Sequence, residues 1–128
     1  MGLKEKIREM DFNWLAQGNH KISLEAFMEK WANNEAIILD VRTEEEAKLS
    51  PLSAFGIHIP LNQIPDRLSE IPKDKLVCII CNANIRASIA YAFLIDEGFD
   101  NVKVLASNPS ELVGFLKPGK IKKLLKRS

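Results

Sequence analysis

Two short runs, Ala36-Ile37-Ile38-Leu39 and Leu76-Val77-Cys78-Ile79-Ile80, are apolar at every position. A strand with one wet face alternates apolar and polar residues, so a run with no polar face has to be covered on both sides. Neither run approaches the ~18 residues of a membrane span. Two such strands, set among segments of helical periodicity, predict an α/β layer fold: a mainly parallel sheet between helices on both faces. A chain of 128 residues is one domain's worth and can bury such a core. Its hydrophobic fraction of 46% and charged fraction of 27% exclude a disordered chain.

The remaining segments fill in the alternation. Leu3, Ile7, Met10 and Trp14 predict one amphipathic helix over residues 3–16, and Gly18 is placed to end it. The apolar stripe covers either the chain's own sheet, the reading preferred here, or a second copy, so a monomer or weak dimer is expected. Ser23 can cap a helix carrying Leu24, Phe27, Met28 and Trp31. Thr43-Glu44-Glu45-Glu46 has the spacing of a capping box. Residues 57–61 and 102–105 read as strands and 64–71 as a short helix. A compact helix follows over about 86–97, and Pro109 and Pro118 suit the first turns of two more. Residues 1–19 are taken as a helical extension and 20–128 as the domain.

Charge is uneven. Residues 117–128 hold six bases and no acid, and the other 116 carry 12 bases against 17 acids, a net of −5. The basic end is read as the solvated face of a closing helix, since Ile121, Leu124 and Leu125 recur at helical spacing. A nucleic-acid partner is not expected, because no aromatic residues interleave the charges. The amino-terminal residues lack the apolar core of a signal peptide, and two cysteines are too few for a disulfide framework; a cytoplasmic, reducing setting is expected, with no membrane contact.

In open parallel sheets, ligands gather where strands end and helices begin. Two segments place polar residues there: Asp40-Val41-Arg42, and Cys81-Asn82-Ala83-Asn84-Ile85-Arg86. In the second, a thiol leaves a buried strand, four residues turn, and an arginine opens a helix. Backbone N–H groups of such a loop and the positive end of its helix favour an anion, which makes Cys81 a candidate nucleophile. Arg86 shares the sign of the helix end it sits on, so a carboxylate or an anionic ligand is expected beside it. Asp40 and Arg42 read either as a pair that orders the loop or as a purely structural salt bridge. Cys78 is mid-strand and reads as core. A redox pair or half a zinc site at Cys78-x-x-Cys81 does not fit, because residues three apart on a strand face opposite sides and no second Cys/His pair is present. No metal or organic cofactor is expected. His58 reads as structural or exposed.

The order of these elements, with Asp40-Val41-Arg42 after the first core strand, the segment 56–61, the Cys81-x4-Arg86 loop and the Gly98-Phe99-Asp100-Asn101-Val102 turn, resembles the single-domain rhodanese-like sulfurtransferase family over roughly residues 20–116. The resemblance implies that Cys81 takes a sulfane sulfur from a small anionic donor such as thiosulfate and passes it, as a persulfide, to cyanide or a thiol. It also implies that a protein can serve as donor or acceptor. Asn82, Ala83, Asn84, Ile85 and Arg86 would then form the substrate-binding loop. The related phosphatases use a loop one residue longer, so four intervening residues favour sulfur over phosphate. Asn84 stands where the family has glycine, Ala87 where serine is frequent, Ser107-Asn108 for Gly-Gly, and Leu112 for tryptophan. A divergent member follows, with a non-catalytic rhodanese-like binding or regulatory module as the alternative.

Overall fold

The two all-apolar runs become the strands β2 (Ala36–Asp40) and β4 (Leu76–Ile80), side by side in the middle of the sheet, where both of their faces are covered. The computed structural model describes residues 2–127; Met1, Ser128 and the side chains of Lys126 and Arg127, part of the basic end noted above, lie outside that description. With β1 (Lys21–Ile22), β3 (Gly56–His58) and β5 (Val102–Leu105), the strands form a sheet of order β1-β5-β4-β2-β3. Every pairing is parallel. Against one face pack α3 (Leu24–Ala32), α6 (Pro109–Gly114) and α7 (Pro118–Arg127), joined by Leu52 and Phe55. Against the other lie α5 (Ile85–Asp96), two 3-10 turns over Leu61–Asp66 and Leu68–Glu70, and the amino-terminal α1 (Leu3–Glu9).

Local chemistry explains most element ends. The Ser23 hydroxyl accepts from the Ala26 N–H at the start of α3, and Thr43 and Glu46 close a full capping box on α4 (Glu44–Leu49). Pro109 and Pro118 open α6 and α7. Three readings need correction. The helix expected over 3–16 is two, because the Asp11 carboxylate accepts the Trp14 N–H and starts α2 (Phe12–Ala16) afresh. Leu3 and Met10 then pack on the core, Ile7 is exposed, and Trp14 stacks on His20. The segment 64–71 forms 3-10 turns, since Pro65 lies inside it and removes a donor from any α-helical ladder. The strand expected over 57–61 ends at His58.

β3 lies so close to β2 that only glycine fits at its first residue. A Cβ on Gly56 would sit 2.1 Å from the Ile38 carbonyl oxygen and 2.6 Å from its nitrogen, both fixed in the ladder. Gly56→Ala is expected to destabilise the fold by about 3 kcal/mol, read as a lower denaturant midpoint in chemical unfolding.

The register matters for the site. Asp40 of β2 lies opposite Ile80 of β4, and the Val41 N–H donates to the Ile80 carbonyl at 3.1 Å. The two central strands therefore end level. Just beyond them Val41 and Cys81 both enter the cluster under α5; the chain after β4 continues into α5, whereas the chain after β2 goes on to Leu52 and Phe55 against the other face. That divergence opens a crevice at the carboxyl edge of the sheet.

Candidate active site

Cys81 is the first residue past β4, and its side chain joins the cluster on the α5 face. Cys78 belongs to the opposite cluster, under α3. The pleat thus separates the two thiols, and both are free. Burial pushes the Cys78 thiol up to about 12, so it stays neutral and inert. The Cys81 sulfur accepts the Ala87 N–H at 3.3 Å, in the first turn of α5. Asn82, Ala83, Asn84 and Ile85 arch over it and are exposed, whereas Cys81 itself is only 1% exposed.

Asn84 caps α5 in the left-handed conformation, φ 67°. A glycine would adopt this geometry freely, and asparagine is among the side chains that tolerate it best. Its carbonyl accepts both the Ser88 N–H at 2.9 Å and the Ser88 hydroxyl at 2.7 Å, which secures the turn.

Asp40 and Arg42 are each 2% exposed and paired in a fork: Nε to Oδ1 at 2.9 Å and Nη2 to Oδ2 at 2.8 Å. The Arg42 N–H also donates to Asp40 Oδ1, and Nη2 to the Ser50 carbonyl at 2.7 Å. His58 is half-buried, with its Nε2 2.7 Å from the Arg42 carbonyl. All these bonds stay on the β2–β3 side and brace the turn after β2. None of the described ones reaches residues 81–86.

The contact that does cross is made by Glu46, a residue singled out above only as a helix cap. Its carboxylate accepts Arg86 Nη1 at 2.6 Å and Nη2 at 2.9 Å, Asn82 Nδ2, and the N–H and hydroxyl of Thr43, each at 3.0 Å. The carboxylate expected beside Arg86 is therefore part of the protein. The Arg86 guanidinium, followed by the Thr43 N–H, holds the Glu46 carboxyl down to about 2, from its ordinary 4.5. A lowered folded-state value means that the network's stabilisation is complete above about 4.5 and is lost as the pH falls toward about 2. Glu46→Gln is expected to cost about 1 kcal/mol at pH 7, since both partners are partly exposed. Denaturation at a series of pH values should show the gap to wild type closing across that acid window. The signal that could have revealed Glu46 is its place in the capping box, which aims its carboxylate back over the carboxyl end of β2.

The crevice holds a cleft of about 460 Å³, lined by Arg42, Ser50, Asn82, Asn108, Ser110 and Val113 among others. It borders the loop at Asn82, next to Cys81. A second hollow of about 470 Å³ lies between α4 and β3, away from the loop, with Asp40, Ala47, Leu52, Ile57 and His58 in its walls. Among the described residues, no three of His, Cys, Asp or Glu converge as metal ligands, and no helix is long and apolar enough to cross a membrane.

The rhodanese-like domain model matches residues 23–107, which takes in the whole sheet except Lys21 and Ile22. The chain is 33% identical over 84 residues to a sulfurtransferase of Allochromatium vinosum, covering 65% of this chain and 78% of that protein. It is also 33% identical over 99 residues to a tRNA sulfurtransferase of Psychromonas ingrahamii; that match takes in 74% of this chain but spans only 20% of the relative. A rhodanese-related protein from Thermoplasma volcanium shares the fold, with a TM-score of 0.65 at 21% identity over 77% of this chain and 95% of that one. A parallel five-stranded sheet, a cysteine leaving its central strand into a helix-capping loop, and a family match over residues 23–107 converge on one assignment: the chain belongs to the rhodanese-like domain family.

Proposed function

We propose that this protein is a sulfurtransferase that carries a sulfane sulfur as a persulfide on Cys81. The Cys81 thiolate attacks the outer sulfur of a donor; the donor's S–S bond breaks, and the rest of the donor leaves with the bonding pair. A thiol or cyanide, free or presented by a protein, then attacks the outer sulfur of the persulfide, and the Cys81 thiolate departs. Both half-reactions put negative charge at one place. The observation that carries this reading is the Ala87 N–H directed at the Cys81 sulfur from the amino end of a 12-residue helix. Such a donor and such a helix end stabilise a thiolate or a persulfide anion without reorganising. In this reading Asn82 to Ile85 wall the loop, while Arg86 and the Asp40–Arg42 pair hold its surroundings in place.

The near-complete burial of Cys81 favours a second reading, a rhodanese-like binding or regulatory module that retains the loop without turnover. Intact mass separates the two. Incubation with thiosulfate or inorganic polysulfide is expected to add about 32 Da to the protein, removable by dithiothreitol. If neither donor adds mass, the binding module is the better reading.

A further inference from the structure

β3 is the outer strand of the sheet on the side of β2, and only β2 pairs with it. The Ile38 N–H donates to the Phe55 carbonyl and the Ile59 N–H to the Asp40 carbonyl, both at 3.0 Å. In a parallel ladder alternate residues bond to the same neighbour, so residues 55, 57 and 59 face β2. The main-chain N–H and C=O groups of Gly56 and His58 therefore point away from it, and among the described bonds they have no partner. The strand also lacks the proline or lysine that commonly blunts an open edge.

Beside this edge lies the hollow of about 470 Å³ under α4, whose walls include all three residues of β3. Ala47, Pro51 and Leu52 make its far side apolar, and Gly56 adds no side chain to fill it. Its charged groups are matched with one exception. Asp40 is taken by Arg42, the His58 Nε2 by the Arg42 carbonyl, and Glu44 has Arg67 within electrostatic reach. Lys48 is exposed and is in none of the described ion pairs.

We propose that the groove between α4 and the β3 edge is a docking site for an extended peptide segment of a partner protein, one with apolar side chains at alternate positions and an acidic residue for Lys48. Such a segment adds a sixth strand: its main chain satisfies Gly56 and His58, and every second side chain enters the hollow. A second copy of this chain paired edge to edge would lay only its own Gly56 and His58 over this face, and glycine fills nothing. The site stands apart from the chemistry proposed at Cys81, because the hollow lies away from that loop; failure of either reading leaves the other in place.

The capped peptide acetyl-Thr-Val-Thr-Glu-Thr-Val-Thr-amide is a suitable probe, since it presents valine, glutamate and valine on one face in either strand direction. In a titration followed by NMR on the ¹⁵N-labelled protein, the amide protons of Gly56 and His58 are expected to move downfield and gain protection from exchange. The Ile57 amide, already engaged by β2, should change little. Lys48→Glu is expected to weaken binding about fivefold at low ionic strength, and less as salt rises. A peptide with lysine in place of the central glutamate should reverse the order and bind Lys48→Glu better than wild type. No saturable change at millimolar peptide, changes centred away from β3 and α4, or the same order of the two peptides in both proteins would overturn the proposal. Shifts of the Gly56 and His58 amides on concentrating the protein alone would also overturn it and assign the edge to a second copy.

Discussion

Cys81→Ser is expected to abolish sulfur loading and transfer, while Cys78→Ser keeps most of the wild-type rate. The contrast follows from the pleat. Cys81 leaves the strand on the α5 face and receives the Ala87 N–H, so a serine there keeps the shape but cannot form a persulfide. Cys78 points to the α3 face, is fully buried, and has its thiol pushed up to about 12. Its substitution places a hydroxyl in an apolar cluster and is expected to cost about 1–3 kcal/mol of stability rather than chemistry. Single-turnover mass spectrometry and steady-state transfer on both variants check this. Equal loss in the two would mean that the thiols act together, contrary to their separation by the sheet.

Arg42→Met is expected to be the most destabilising single change among the charged residues, at about 3–5 kcal/mol. The variant leaves the Asp40 carboxylate buried without its fork partner and the Ser50 carbonyl without its donor. A surface pair such as Arg67 with Glu70, truncated in the same way, should cost about 1 kcal/mol or less. Asp40→Asn combined with Arg42→Met removes the stranded charge, so the double variant is expected to be more stable than the sum of its single changes. Denaturant unfolding of the four proteins in this cycle measures the coupling. Additive losses would show that Asp40 and Arg42 contribute independently, against the paired geometry.

Much of this architecture can be read along the chain because its causes act over a few residues. A run such as Leu76 to Ile80 has no polar face and needs cover on both sides, wherever it lies. Ser23 and Thr43 cap helices through bonds to residues three positions on, and Asn84 takes the left-handed turn before α5. These rules place Cys81 at the end of a central strand and at the start of a helix. The same kind of rule also explains an error: the stripe over residues 3–16 conceals Asp11, whose carboxylate starts a new helix three residues before Trp14.

Other features exist only once distant segments meet. β1 is two residues long, too short for any periodic signal, and is a strand because β5 supplies its partners. Glu46 and Arg86 are 40 positions apart, and no local pattern links them. They meet because β2 and β4 run parallel with Asp40 level with Ile80, which sets the capping box of α4 against the loop that opens α5. By itself the sequence determined the α/β layers and which cysteine opens the loop between a central strand and a helix, through side-chain pattern and helix capping. Whether the arginine of that loop would be free for a substrate or held by a carboxylate was decided only by the tertiary structure, because charge pairing depends on distance in space and not on separation along the chain.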